Sequence, residues 1–328
     1  MKSPNRPLRL ALLGAVSLAL TACASSAGGA GASGPASFAR TTLNGRPCVV
    51  IPPDKIGIQL WAVQRLFNIP AGTGLAATAS ADAVDAGLAQ VAALGYRKVE
   101  IYSTYGLPAA QFQAILAKHG MSAVASHSAV REENWDATMD YALAMGQTYI
   151  GSSLPPVPGV NTLADTLQVA KNVNELGRRA AARGLKLYLH NHTMEFDNRY
   201  LYDINNDGRP VMTTAWEIVA AETDPRYVNF EIDVNWAFRG LQSMGQDQAG
   251  LAAFMRKYSD RIILLHIKEP NALPPPDRGE VDVGTGNIDW PAIYAAAPKA
   301  ELYIYEYDNP PNPLRSAEIA YKYLSCRA

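Results

Sequence analysis

The chain is expected to fold as an α/β protein, a single-domain (β/α)8 TIM barrel. Three observations predict it. Short β-rich apolar runs alternate with helical patterns, the signature of parallel βαβ units. The alternation occurs eight times over roughly 280 residues, the count and length of such a barrel. No glycine-rich phosphate loop follows the first strand, which argues against an open doubly wound sheet.

Each element follows from local chemistry. "IGIQLWAV", from Ile56, is the first strand run. "ASADAVDAGLAQVAALGY" is helical, with Ser80 as N-cap and Gly95 as stop. "KVEIY" is the second strand, and "PAAQFQAILAKHG" is a helix with Pro108 in its first turn and Gly120 at its end. "MSAVASHS" and "TYIGSS" are the third and fourth strands, separated by the helix "ENWDATMDYALAMG". A long helix over 162–183 is closed by Gly184, and "LKLYLHNH" is the fifth strand. The polar insertion "DNRYLYDINNDGRPV" precedes a helix near 214–222. "VNFEIDV", "IILLHIKE" and "ELYIYEYD" are the last three strands, with "QAGLAAFMRKYSD", "DWPAIYAAAP" and "LRSAEIAYKYLSC" as the intervening and closing helical segments.

Residues 1–22 are expected to be a leader. Lys2, Arg6 and Arg9 precede an apolar run over 10–20, which is short for a membrane span. The run ends in "LTAC", which resembles a bacterial lipobox and implies lipidation at Cys23. Ala24 in place of Asp, by resemblance to the proteobacterial sorting rule, implies the outer membrane of a Gram-negative bacterium, facing the periplasm. Residues 23–45 are expected to be a flexible tether, rich in Ser, Gly and Ala, and 46–328 the barrel. Membrane contact is expected only through the lipid. Cys48 and Cys326 flank the folded region; in an oxidising compartment they could pair, or each could be a small buried residue.

Lys and Arg together number 29 against 30 Asp and Glu, a net charge of -1. That balance argues against nucleic acid as a partner, since phosphate binding relies on clustered cations. The oligomeric state is not legible.

Barrel active sites lie at the C-terminal strand ends. Those ends carry Gln59 and Trp61, Glu100, His127, His190 and His192 with Glu195 beyond, Asp233, His266 and Lys268, and Glu306 with Asp308. Four of the five histidines fall there; His119 instead suits a helix C-terminus. His190, Asp233, His266 and Glu306 can converge on the barrel axis. Their mixed imidazole and carboxylate donors suit one divalent ion such as Mn, Zn or Co. His190 and His192 share a strand face, so either could be the ligand and the other the substrate contact. Glu195 could be a fourth ligand, a general base or a loop residue. Glu306 or Glu195 would serve as base, with His192 as partner acid. Glu100, His127, Lys268, Trp61 and Trp236 are candidate substrate contacts. "GTGNIDW" is a conformational turn, because no Lys-Ser/Thr follows it.

"GIQLW", "HNHTMEF", "DVNW", "LHIK", "GTGNIDW" and a strand-eight Glu, in this order, resemble the xylose-isomerase-like TIM-barrel superfamily, which includes the AP endonuclease 2-like barrels. The resemblance covers nearly all of 46–328. It implies one divalent metal held by Glu, Asp, His and Glu from strands five to eight. Asp233, His266 and Glu306 match, whereas His190 stands where sugar epimerases carry the strand-five Glu. The implied activity is a divalent-metal-dependent sugar isomerase or epimerase, working by proton abstraction next to a carbonyl. Lyase or hydratase chemistry on 3-keto-glycosides is the alternative, and a non-catalytic periplasmic sugar-binding lipoprotein the second alternative. An endonuclease IV-like phosphodiesterase would need more ligands and a basic face.

Overall fold

A computed structural model describes residues 38–327 except 44, 71–72 and 272–278. The expected leader, Cys23 and most of the tether lie outside the described residues. Eight parallel strands form the barrel: β1 (Ile56–Gln59), β2 (Lys98–Ile101), β3 (Ser122–Ser126), β4 (Tyr149–Ser152), β5 (Lys186–His190), β6 (Val228–Asp233), β7 (Ile262–Ile267) and β8 (Leu302–Tyr305). Their order is β3-β2-β1-β8-β7-β6-β5-β4. The seam between β3 and β4 is drawn together by a His127–Gly151 bridge, with Ser128 N–H donating to Gly151 O at 2.6 Å.

The helices are α1 (Ala81–Ala93), α2 (Ala109–Lys118), α3 (Trp135–Ala144), α4 (Leu163–Ala182), α5 (Met194–Asp197), α6 (Ala215–Glu222), α7 (Val234–Ser243), α8 (Gln248–Lys257), α9 (Trp290–Ala296) and α10 (Pro313–Leu324). Their ends follow side-chain chemistry. Ser80 Oγ accepts Ala83 N–H at 3.2 Å to open α1, and Thr162 Oγ1 accepts Asp165 N–H at 3.0 Å to open α4. Each such cap is worth about 1 kcal/mol. Gly184, at φ 80, closes α4. His119 follows α2 and lies 2.6 Å from Asp85 Oδ1. Among the described residues no helix is long and apolar enough to cross a membrane.

Several elements depart from expectation. β1 stops at Gln59, and a 3-10 helix, Leu60–Phe67, takes over because Gln59 accepts the Trp61 N–H. α2 starts one residue past Pro108, which takes the N-cap place. The polar insertion is a hairpin, Arg199–Tyr202 with Val211–Thr214. α7 begins directly after β6 and has no counterpart in the sequence reading. The expected tether also ends early. A hairpin pairs Arg40–Leu43 with Arg46–Val49, and Phe38 is buried with its ring edge-on to Tyr303 at 6.1 Å. Burying that aromatic orders the chain before residue 46.

Cys48 and Cys326 form a disulfide, which joins the N-terminal hairpin to the turn after α10. The apolar core lies mainly between barrel and helices. A smaller cluster, including Tyr188, Leu264, Leu302 and Ile304, fills the barrel itself. These inward positions continue two residues on into His190, His266 and Glu306. Gly151 is required at this layer, since a Cβ there would come within 2.5 Å of the Tyr188 ring.

Candidate active site

Strand register assembles the site. In a parallel sheet, register partners present side chains to the same face. His190 is the partner of Glu231, Asp233 of His266, and Gln59 of Glu100. Between Phe230 and Glu231 the β6–β7 register slips by one residue, with Ile263 of β7 the extra one, and between Val99 and Glu100 the β2–β3 register slips likewise, with Val124 of β3 extra. The slips set Glu231 level with Leu264 and Glu100 level with Ala125.

Two tiers of polar groups result. The lower tier is buried. Glu100 is fully buried; it accepts Gln59 Nε2 at 2.8 Å, lies 2.6 Å from His266 Nε2, and also accepts the Tyr188 hydroxyl. Glu231 Oε2 lies 2.9 Å from His127 Nε2 and 3.1 Å from His190 Nδ1. Its Oε1 stands 3.2 Å from His266 Nε2.

The upper tier consists of the nitrogens left over. His190 Nε2 and His266 Nδ1 each lie 3.9 Å from Asp233 Oδ2, and His266 Nδ1 lies 2.9 Å from Glu306 Oε2. Asp233 splits its duties. Oδ1 accepts Trp236 N–H at 2.8 Å and caps α7, whereas Oδ2 is buried with no hydrogen bond. One donor atom from each of His190, Asp233, His266 and Glu306 lies within 4.8 Å of the others. A tetrahedral ion with bonds of about 2.0–2.2 Å would space its ligands about 3.4 Å apart, so these four fit one. A second grouping of His127, His190, Glu231 and His266 also meets that spacing. Its nitrogens are already spent on carboxylates, so it supports the upper set.

Charge follows burial and partners. Burial opposes ionisation of Glu231, yet His266, His127 and His190 hold it well below the usual range. Burial likewise opposes the charge on His266, but Glu231, Glu306 and Glu100 raise it well above an ordinary histidine. Burial keeps His190 neutral, lowering it well below the usual value against the Glu231 bond. Asp233 is pushed up to about 7 by burial, with Lys268 opposing.

Lys268 is buried, not a surface lysine. Its Nζ lies 2.6 Å from Asp308 Oδ1, 3.2 Å from Glu306 Oε2, 3.5 Å from Asp233 Oδ2 and 3.6 Å from Glu280 Oε1. Burial opposes the ammonium, but Glu306 and Asp233 raise it well above its ordinary value. It also sits 4.9 Å over the Trp236 ring.

A cavity of 470 Å³ opens above the upper tier, lined by Trp61, Tyr102, His127, His190, His192, Glu306 and Asp308 among others. His192 Nδ1 is buried and unpartnered, and its ring stacks on Trp236 at 5.6 Å. Burial, then Lys268, lowers His192 to about 4.

Three expected substrate contacts, Glu100, Lys268 and Trp236, and the expected base Glu195 take other places; Lys268 is spent on the carboxylates around it and does not line this cavity. Glu100 is fully buried beneath the histidines, bonded to Tyr188, Gln59 and His266, and does not line this cavity. Trp236 meets His192 and Lys268 instead of the cavity, since α7 turns it away. Glu195 is in α5, its Oε2 accepting the His192 N–H at 3.0 Å, and it faces a small apolar space with Leu189, Trp216 and Phe230. There burial raises it to about 8. It is no base for the main cavity.

Glu231 was not singled out from sequence, although it lies two residues before Asp233 and so shares its face. "GTGNIDW" is a turn held by Glu269, whose oxygens accept Gly284 N–H and Ile288 N–H, each at 3.1 Å, and Trp290 Nε1–H at 2.5 Å.

Residues 88–324 match the family model described as xylose isomerase-like TIM barrel. A sugar phosphate isomerase/epimerase from Parabacteroides distasonis shares the fold with a TM-score of 0.61 at 21% identity, covering 84% of this chain and 94% of that one. A D-allulose 3-epimerase from Methylomonas sp. has a TM-score of 0.55 at 16% identity, covering 85% and 100%. A probable 3-DHS dehydratase from Bacillus anthracis has a TM-score of 0.55 at 11% identity, covering 82% and 97%. No curated protein matches the chain.

Proposed function

The chain belongs to the xylose isomerase-like TIM barrel family, and from that premise we propose that it is a sugar isomerase or epimerase that moves a proton on the carbon next to a carbonyl. The single observation that carries this is the pair of carboxylate-held histidines. Glu231 fixes His190 and Glu100 fixes His266, and each ring turns its other nitrogen toward Asp233 Oδ2. Carboxylates behind imidazoles in this way orient metal ligands. His190, Asp233, His266 and Glu306 would hold one divalent ion, with Mn, Zn and Co the candidates. When bound, it supplies Lewis acidity toward a sugar carbonyl.

The chain's own groups do the rest. Burial opposes ionisation of Glu306, but Lys268 and His266 keep it anionic at the cavity floor. Glu306 and the neutral His192 are the groups positioned to take the proton from carbon and return it. Lys268 holds Glu306 and Asp308 in place and balances their charge. His127 and Trp61 face the substrate from the wall.

A second reading is a lyase on 3-keto-glycosides. The same proton leaves, a C=C bond forms, and the group on the next carbon departs as an alkoxide that takes up a proton. The apolar walls of the cavity favour it. We also place the protein in the periplasm, lipid-anchored through Cys23. The Cys48–Cys326 disulfide supports an oxidising compartment; incorporation of labelled palmitate, lost in Cys23→Ser, tests the anchor.

The activity is tested by proton NMR in D2O with Mn, Zn or Co. D-allulose, D-fructose and a 3-keto-glucoside are incubated with the protein. Deuterium should enter beside the carbonyl of at least one, and Glu306→Gln should slow this by about 10²-fold or more. Binding of a sugar without any exchange would instead support a sugar-binding protein.

A further inference from the structure

The cavity above the upper tier has two chemically different halves. Its floor is polar: His190, His192, Glu306 and Asp308. Its walls and rim are mainly apolar, with Ser128, Ser153 and the exposed Arg131 and Asn309 interspersed. Trp61, Leu75, Val130, Leu154 and Val157 face the same space. Leu75, Leu154 and Val157 are 44%, 52% and 54% exposed. Single exposed apolar residues need no explanation, but several around one opening mark a binding surface.

This wall is built in place. Asn172 Nδ2–H, from α4, donates to Val157 O at 3.1 Å, and Gly159 N–H donates to Pro156 O at 2.8 Å. Pro155 and Pro156 stiffen the segment further. On the other wall, Trp61 packs edge-on to Tyr102, with centroids 5.1 Å apart and planes at 79°. The half-buried Trp61 ring therefore offers a flat apolar surface.

Cavity size and charge narrow the occupant. At 470 Å³ the space is in the range that takes drug-sized ligands, more than one sugar ring fills. Among the described lining residues Arg131 is the one Lys or Arg, and it is exposed. Lys268 is already shared among Asp308, Glu306, Asp233 and Glu280. A phosphate dianion would meet Glu306 and Asp308 on the floor with little to neutralise it.

We propose that the outer half of this cavity is a subsite for an apolar group attached to the sugar, so that the substrate is a neutral glycoside with an apolar, flat aglycone. This rests on the sugar reading of the floor.

The test is calorimetric binding to the full chain in a detergent without a sugar headgroup. The probes are methyl and phenyl β-D-glucopyranoside, the corresponding galactopyranosides, and glucose 6-phosphate. The phenyl glycoside of at least one sugar should bind about tenfold or more tighter than its methyl partner. Leu154→Ser and Val157→Ser, both at exposed positions, should each shrink that ratio without changing methyl glycoside affinity. Equal affinity for methyl and phenyl partners, or tightest binding of glucose 6-phosphate, would overturn the subsite while leaving the sugar floor intact. Binding of none of the probes would overturn both.

Discussion

His190 and Glu231 are neighbours twice over: they are register partners on β5 and β6, and His190 Nδ1 lies 3.1 Å from Glu231 Oε2. The first relation comes from backbone pairing and the second from side-chain chemistry. Together they leave His190 one free nitrogen and aim it at Asp233.

Glu231→Gln keeps the shape and removes the anion that three histidines face. Breaking a buried charge network from one side costs about 3–5 kcal/mol. Loss of a carboxylate behind a metal-binding histidine costs about 10–100-fold in affinity. Urea unfolding and calorimetric Mn titration should show both losses. Unchanged metal affinity in a folded variant would remove Glu231 from the support of the site.

Gly151→Ala should damage the same site from below. The added methyl would lie 2.5 Å from the Tyr188 ring and from Tyr188 O, and Tyr188 holds Glu100 under His266. Overpacking of this kind costs about 1–3 kcal/mol. At Gly57 the nearest atom is Ile304 Cγ1 at 3.2 Å, so Gly57→Ala should cost less in the same melt.

Glu195 makes stability depend on pH. Burial raises its folded value to about 8 from an ordinary 4.5. Between those values the folded state keeps a proton that the unfolded state has lost. Its contribution is therefore fully present below pH 4.5 and is lost as pH rises through about 8. Melting temperature should fall across that window in the wild type. Glu195→Gln should fall less, and an equal slope would show that the carboxyl is ionised in the fold.

The Cys48–Cys326 bridge spans 278 positions of sequence. Replacing both cysteines by Ser should lower stability by about 2–5 kcal/mol. Dithiothreitol should reproduce the loss in the wild type and leave the double variant unchanged.

The alternation of strands and helices was legible because each strand carries its own apolar run and each long helix its own caps, such as Ser80 and Thr162. α7 was not legible. Asp233 ends β6 and caps α7 at once, so "EIDVNWAF" carries no break between them. Strand-end position located Asp233, His266 and Glu306, but it says nothing of depth. Glu100 looked like a substrate contact, yet it is fully buried and bonded to Tyr188 from across the barrel. Glu195, past the strand end, was open as fourth ligand, base or loop residue; α5 turns it into an apolar space. Period-two spacing from Asp233 would have found Glu231; its three histidine partners come from three other strands and leave no local mark.

Elemental analysis of the purified protein, after incubation with Mn, Zn and Co and removal of excess, tests the central claim most directly. It is run beside Asp233→Ala and His190→Ala, with circular dichroism as the check on folding. One divalent ion per chain, lost from both variants, is the predicted result. No ion in the folded wild type, or full retention in folded His190→Ala, would contradict it.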